Sequence, residues 1–298
     1  MTTARAAEEL DGLVEALTAV GRRVRSGVRG AAATQARRGS PRPGDGYAFL
    51  DRAERILRET MNMVGARWPG CLVLDGREEP APVGGGGPWT YLASPLDGAL
   101  AFAAGKQSAW VLLGVGRHAR TLDELTASVV VEVPLPKAVL GLVASGRAGR
   151  LEAVDDDLSG RGLSAAVLLG ARRGGALRDG FVSVMRAAPG AQQAIAAWQD
   201  AHLDGLAVLD DPGRSAGALL VGLAAGADAA VFDPRPVLAP GGAATYAPSL
   251  AGVVLARAAG ALVERFPAGE LDAPLDAVTP IAWAGYANAE VAARLRPG

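Results

Sequence analysis

Trp89-Thr90-Tyr91-Leu92-Ala93-Ser94-Pro95-Leu96-Asp97-Gly98-Ala99-Leu100-Ala101-Phe102-Ala103-Ala104-Gly105 is the stretch on which the reading of this chain turns. It opens as a short apolar strand, Trp89 to Ala93. It then breaks at Ser94-Pro95-Leu96-Asp97-Gly98, where Pro, Asp and Gly all favour a turn. Asp97 opens the segment that carries Phe102 and ends at Gly105.

Outward from this turn, the N-terminal side reads as two helices. Leu10, Leu13, Val14, Leu17, Val20 and Val24 recur at helical spacing between Ala4 and Val28, and Gly30 is expected to end that helix. Gly30 to Gly46, rich in Arg, Gly, Pro and Ser, reads as a loop. A second helix is predicted over Tyr47 to Val64, with Phe49, Leu50, Ala53, Ile56, Leu57 and Met61 inward. A strand at Cys71 to Leu74 follows, and Pro80 to Pro88 with its four glycines reads as an exposed, flexible turn. On the C-terminal side, strands are predicted at Ala109 to Val115, Ser128 to Val133, Leu140 to Ala144, Ala165 to Leu169 and Leu206 to Leu209. Helices are predicted near Gly180 to Arg186, Ala191 to Asp200, Arg214 to Ala225 and Ser249 to Ala259. The pattern divides into an N-terminal α+β half, 1–150, and a C-terminal α/β half, 151–298.

In order and spacing, several segments resemble the inositol monophosphatase family. Asp51-Arg52-Ala53-Glu54-Arg55-Ile56-Leu57 is similar to that family's Asp-x-x-(Ala/Val)-Glu helix, and Gly76-Arg77-Glu78-Glu79 stands where the family has Gly-Glu-Glu. The Ser94 to Gly105 stretch resembles Asp-Pro-(Ile/Leu)-Asp-Gly-Thr-x-Asn-Phe-x-x-Gly. Ser215-Ala216-Gly217-Ala218-Leu219 with Ala224-Ala225-Gly226-Ala227-Asp228 resembles the Gly-Ser-Ala-Ala helix and its glycine turn. Leu250-Ala251-Gly252 through Gly260 tracks the helix after a Trp-Asp-x-Ala-Ala-Gly motif. The resemblance spans roughly residues 47 to 265. It implies a layered αβαβα sandwich of the α/β (α+β) class, resembling inositol monophosphatase and fructose-1,6-bisphosphatase, and a homodimer.

Chemistry of that family type rests on magnesium, a hard cation that needs several oxygen ligands to polarise a phosphoryl group. The members that the resemblance retains are Glu78 or Glu79, the Leu96 carbonyl and the Asp97 carboxylate, with Asp51 orienting water. The departures are larger. The first motif aspartate is Ser94, the threonine is Ala99, the asparagine is Ala101, and the late Trp-Asp pair is Ala247-Pro248. Two lost carboxylates lower the charge on which cation affinity depends. No metal is therefore expected; if one binds, Glu79, Asp97 and Leu96 are its ligands. Asp233 and the run Asp155-Asp156-Asp157 are the candidate replacements, the run reading otherwise as a solvated loop.

The candidate catalytic residues are Asp97, Glu79, Glu78 and Asp51. Ser94, Leu96, Gly98, Ala99, Ser215, Ala216 and Pro248 are the candidate substrate contacts. His118 and His202 stand far apart and read as surface or structural residues. Cys71, the one cysteine, excludes an intrachain disulfide and cysteine-rich metal sites. Gly84 to Gly87 lacks the lysine and helix start of a phosphate loop.

A net charge of -1 supplies no broad positive field for nucleic acid or anionic membranes. No apolar stretch reaches the roughly 20 residues of a bilayer span. Glu8, Glu9, Asp11 and Glu15 interrupt any secretory core, so a cytoplasmic protein is expected. Three functions stay open. The first is an enzyme repurposed to metal-independent acid/base chemistry, of cyclase, isomerase or lyase type, on a small and less polar molecule. The second is a magnesium-dependent phosphomonoesterase of inositol phosphate type, for which magnesium is the cofactor; otherwise none is expected. The third is a catalytically silent protein that binds a ligand or partner. The substitutions favour the first, because carboxylates in an apolar pocket without cations hold their protons to higher pH.

Overall fold

A computed structural model describes residues 3–36, 48–162, 164–177, 180–186, 190, 192–209 and 215–297. Helix α1 (Thr3–Ala36) carries the expected apolar face, with Leu13, Leu17, Val20, Val24 and Val28 buried. It does not stop at Gly30. One glycine costs a helix interior only about 1 kcal/mol, which a long packed face absorbs. The rest of the expected loop, 37–46, lies outside the described residues, as does Tyr47, where the second helix is expected to begin. Helix α2 (Ala48–Gly65) buries Phe49, Ala53, Leu57 and Met61 as its spacing requires.

The first sheet is eight-stranded, in the order β2-β1-β3-β4-β5-β6-β7-β8. Its strands are β1 (Gly70–Leu74), β2 (Ala81–Val83), β3 (Trp89–Asp97), β4 (Ala109–Arg117), β5 (Ala127–Val133), β6 (Leu140–Arg147), β7 (Arg150–Asp157) and β8 (Ala165–Ala166). Among the described residues of this sheet, only β1 and β3 pair in parallel. The glycine-rich turn expected at 80–88 is partly ordered, since β2 pairs with β1. The sheet runs on to Ala166, beyond residue 150 where the sequence pattern divides the chain. A short helix, α3 (Ala99–Ala103), lies between β3 and β4.

The second sheet has five strands, ordered β10-β9-β11-β13-β12: β9 (Phe181–Val184), β10 (Val208–Leu209), β11 (Asp228–Asp233), β12 (Leu262–Arg265) and β13 (Trp283–Tyr286). Here the helix expected at 180–186 is a strand. Val182, Ser183 and Val184 are buried on both faces of a parallel ladder, and that tertiary setting overrides the local reading. Helices α4 (Gln192–His202), α5 (Ala216–Ala224), α6 (Arg235–Leu238), α7 (Val253–Ala258) and α8 (Ala289–Leu295) complete the chain.

Three apolar cores stack the layers. One joins α1 and α2 to the first sheet through Leu17, Leu57, Tyr91 and Val131. A second fills the space between the sheets, where α5 and α7 supply Leu219, Leu220 and Leu255 against Leu112 and Val130 of the first sheet and Val231 of the second. The third packs α4 and α8 on the outer face through Ile195, Phe232, Tyr286 and Val291. The order is the αβαβα sandwich that the sequence resemblance implies.

The acidic triplet is a strand rather than a loop. Asp156 accepts two bonds from Arg22 at 2.8 Å each and a further bond from buried Arg25. It braces α1 to the sheet and is committed to that ion pair. Asp157 accepts from Ser159.

Candidate functional site

The strand expected to break at Ser94 runs on to Asp97, because Ser94 and Asp97 both pair with β4, and an irregularity between them builds the site. Ser94 is opposed to Leu112 and Asp97 to Trp110, so three steps on β3 match two on β4. Residues three apart in a regular strand point to opposite faces, and the bulge returns Asp97 to the face of Ser94. That face looks toward α5. Gly98 then turns the chain with a φ of 81°, a conformation that glycine adopts without a Cβ penalty.

The carboxyl of Asp97 meets the N-terminus of α5. Gly217 N–H donates to Asp97 Oδ2 at 2.7 Å, and the Ser215 hydroxyl and Gly98 amide add further bonds. Ser215 also caps its own helix by accepting from Ala218 N–H at 3.0 Å. The approach needs glycine at 217, where a Cβ would stand 2.9 Å from Asp97 Oδ2 and 2.8 Å from Leu112. Gly98 is equally close, its Cβ position lying 3.1 Å from that of Ser215.

Asp75 is the second carboxyl. It follows β1 on the face of Val73, and Ser94, fully buried, donates to its Oδ2 at 2.9 Å. Burial pushes the Asp75 carboxyl up, against the Ser94 hydroxyl and the Gly76 amide, which pull it down. For Asp97, which is half-buried with protein packed round its carboxyl, desolvation is the largest influence. The Gly217 and Ser215 bonds oppose it and the charge of Asp75 adds to it, and the carboxyl is pushed up to about 7.

The other expected members fall into two groups. Ser94, Asp97, Gly98 and Ser215 come together, with Ala216 buried in the first turn of α5. Ala99, half-buried, begins α3, and Pro248 is buried in a 3-10 turn, Ala247–Leu250, that packs on β3, β4 and α5. Leu96 is buried on the opposite face, among the α1 and α2 core.

Glu78 and Glu79 do not join Asp97. Both are exposed, in a turn whose Arg77 donates to Glu54 of α2 at 3.0 and 3.1 Å. The acidic neighbour of Asp97 is Asp75. Asp51 is exposed on α2. Asp233 is no replacement ligand. Arg235 donates to its two oxygens at 2.7 and 2.8 Å, and Thr245 donates at 2.6 Å, all within a buried cluster.

His118 is exposed, and His202 stacks on Trp198 at the end of α4. The Cys71 thiol is raised by burial, which makes it a poor nucleophile.

Sequence reasoning missed Asp75 and Gly217. Alternation along β1 carries a signal for the first, since Asp75 shares the parity of Val73.

Among the described residues no three His, Cys, Asp or Glu side chains gather as a metal-binding group. Donor chemistry agrees poorly with a resident multi-ion magnesium centre. Asp97 and Asp75 each have an oxygen taken by a protein donor, and Ser94 and Pro248, which the sequence resemblance sets at two of the family's carboxylate positions, bring no carboxylate.

No protein-family model matches this chain, and no curated protein matches it. Solved structures do. Mycobacterium tuberculosis SuhB shares 19% identity over 93% of this chain and 90% of its own, with a TM-score of 0.59. The inositol monophosphatase of Anabaena shares 15% over 95% and 94%, at 0.61. Leishmania major fructose-1,6-bisphosphatase, in its T-state, shares 12% over 91% and 89%, at 0.65. At these identities the likeness establishes the fold. This chain has the inositol monophosphatase and fructose-1,6-bisphosphatase-like fold.

Proposed function

We propose that this protein is a metal-independent acid/base enzyme acting on a small molecule in the Asp97 cleft. The observation that carries the reading is the proximity of Asp97 and Asp75, two desolvated carboxyls of which Asp97 is pushed up to about 7. Two such groups cannot both ionise cheaply, so one proton stays on the pair near neutral pH. An acid and a base then stand side by side, which suits protonation of a double bond or the opening or closing of a ring.

Each residue has a distinct part. Asp97 holds the mobile proton, the Gly217 amide fixes the direction of its Oδ2, and the Ser215 hydroxyl adds a bond to the carboxyl. Ser94 steadies Asp75 as the ionised partner. Ala99, Ala216 and Pro248 leave little for a polar substrate to bond to, which favours a ligand less polar than a sugar phosphate. The protein acts as a cytoplasmic homodimer in this reading, with no nucleic acid or membrane partner. No described helix is long and apolar enough to cross a membrane.

A magnesium-dependent phosphomonoesterase is the second reading, and the same Asp75 and Asp97 pair favours it, since magnesium is often held by one or two carboxylates with substrate phosphate. Phosphate release separates the two. With millimolar magnesium, inositol 1-phosphate and fructose 1,6-bisphosphate are expected to give no release above background. Turnover that Asp97→Asn abolishes would replace the acid/base reading with the phosphatase one.

A further inference from the structure

Arg25, Arg147 and Arg235 are the buried arginines among the described residues. Two of them have a carboxylate to themselves or nearly so: Arg25 donates to Asp156, and Arg235 donates to Asp233 at 2.7 and 2.8 Å. Arg147 is less well matched. Its side chain is nine-tenths covered, yet its one ionic partner among the described residues is Asp11, Nη2 to Oδ1 at 3.0 Å. Asp11 is half open to solvent and is shared with Arg150, at 3.4 Å. A guanidinium presents five N–H donors in a planar fork, and a single shared contact leaves most of them unmatched.

The ladder adds to the cost. Arg147 ends β6 and is directly opposed to Arg150 at the start of β7, with Ala148 and Gly149 forming the turn between them. Like charges directly opposed on a ladder destabilise the pair. Arg150 reaches solvent and also Glu152, at 2.5 Å, so the less compensated cation is the covered one.

A cavity of about 750 Å³ opens on both arginines, within the range of about 300–1,000 Å³ that holds small molecules. Its lining joins them to the buried apolar Leu125 and Val254, to Leu10 of α1 and to Ala258 of α7. Gly146 brings α7 this close to the sheet, its Cβ position lying 2.5 Å from the Leu255 Cα. The Asp97 cleft is elsewhere. Arg147 stands in the ladder row of Ala127 and Val115, and Val115 is five positions along β4 from Trp110, the partner of Asp97, or roughly 17 Å.

We propose that this cavity is a second binding site, for a small monocarboxylate with an apolar body, and that Arg147 is the residue that holds the carboxylate. The guanidinium fork matches a carboxylate in two parallel bonds. The same bonds offset the repulsion between Arg147 and Arg150, while Leu125 and Val254 cover the apolar body. A phosphate dianion fits less well, because Asp11 and Asp123 also line the cavity and repel a second negative charge. The assignment stands apart from the acid/base reading of the Asp97 cleft.

Calorimetric titration of the full chain with 4-phenylbutyrate, 4-phenylbutanol and inorganic phosphate, in a chelator, tests the site. Wild type is expected to bind the carboxylate about tenfold tighter than the alcohol and to show no saturable binding of phosphate. Arg147→Met keeps an apolar stem and is expected to bring the two affinities together. Arg147→Lys is expected to recover only part of the preference, since an ammonium lacks the fork. Ala258→Trp fills the cavity from α7, leaves the arginines in place, and is expected to weaken both ligands about tenfold or more. Melting temperatures near that of wild type show that each variant is folded, and Ala258→Trp carries the test if Arg147→Met is not. Absence of carboxylate binding overturns the proposal, as does a preference that survives Arg147→Met or binding that survives Ala258→Trp. A preference lost in Asp97→Asn places the ligand in the Asp97 cleft and overturns it as well. Saturable phosphate binding that depends on Arg147 overturns the carboxylate assignment.

Discussion

The backbone N–H of Gly217 donates to Asp97 Oδ2 at 2.7 Å across 120 residues of chain. Asp97 therefore caps a helix, but the helix is α5 of the second half rather than α3, which follows it. The bond ties the turn of the first sheet to the layer between the sheets. It also fixes the direction of one carboxyl oxygen.

That bond depends on the missing side chain at 217. Gly217→Ala places a methyl 2.8 Å from Leu112 and 2.9 Å from Asp97 Oδ2, so either the helix or the carboxyl must shift. Overpacking of this kind costs about 1–3 kcal/mol. A lower melting temperature together with a changed Asp97 titration is the expected result, and an unchanged pair of values would contradict the geometry.

Stability should fall with rising pH across one defined window. The folded chain holds the Asp97 proton up to about 7, whereas an unfolded aspartate releases it near about 4. Between those values the folded state binds more protons, so stability declines as pH rises and levels off above the folded value. Asp97→Asn removes the decline. In thermal melts at about pH 8 the variant should be the more stable protein, by about 4 kcal/mol at most. Identical melting of the two proteins at about pH 5 and about pH 8 would contradict the shift.

Asp156 gives the opposite sign. Burial pushes its carboxyl up, but the bonds from Arg22 and Arg25 outweigh burial and hold it below the usual range. Its contribution is present above the unfolded value of about 4 and is lost as pH falls through the folded one. Asp156→Asn leaves Arg25 buried without its charge partner, and a loss of about 3–5 kcal/mol is expected in chemical unfolding. A loss below about 1 kcal/mol would show that Arg25 finds solvent instead.

Much of the architecture is legible in the chain because the elements concerned are periodic or framed by turns. The Leu13 to Val28 stripe and the α2 face reappear as expected, while the break expected at Ser94 is delayed to Gly98 because β3 stays paired with β4 to Asp97. Where the reading failed, the deciding contact was distant. Residues 181–184 became a strand because β10 and β11 flank them. The triplet at 155–157 is strand because it pairs with β6, with Asp156 bonded to Arg22 and Arg25. Glu78 and Glu79 match the family's motif in sequence, yet both are exposed, and Asp75, on the face of Val73, is the inward carboxyl.

Restoring carboxylates tests how far the site has moved from cation binding. Ser94→Asp puts a third acid beside Asp75 and Asp97 in a fully buried position, so it should lower the melting temperature in a chelator. Combined with Ala99→Thr and Pro248→Asp, it should regain stability with millimolar magnesium and bind the ion by calorimetry. Absence of any magnesium response would mean that Pro248 does not stand at the old ligand position.

The most direct measurement is a carbon NMR titration of the aspartate carboxyls, with Asp97→Asn to assign the signal, carried out in a chelator. The account predicts an Asp97 midpoint near the value of about 7 that its surroundings impose, moving downward but staying above the ordinary range in Asp75→Asn, where desolvation remains and the neighbouring charge is gone. An Asp97 midpoint near about 4 that ignores Asp75→Asn would contradict the acid/base pair at the centre of the proposal.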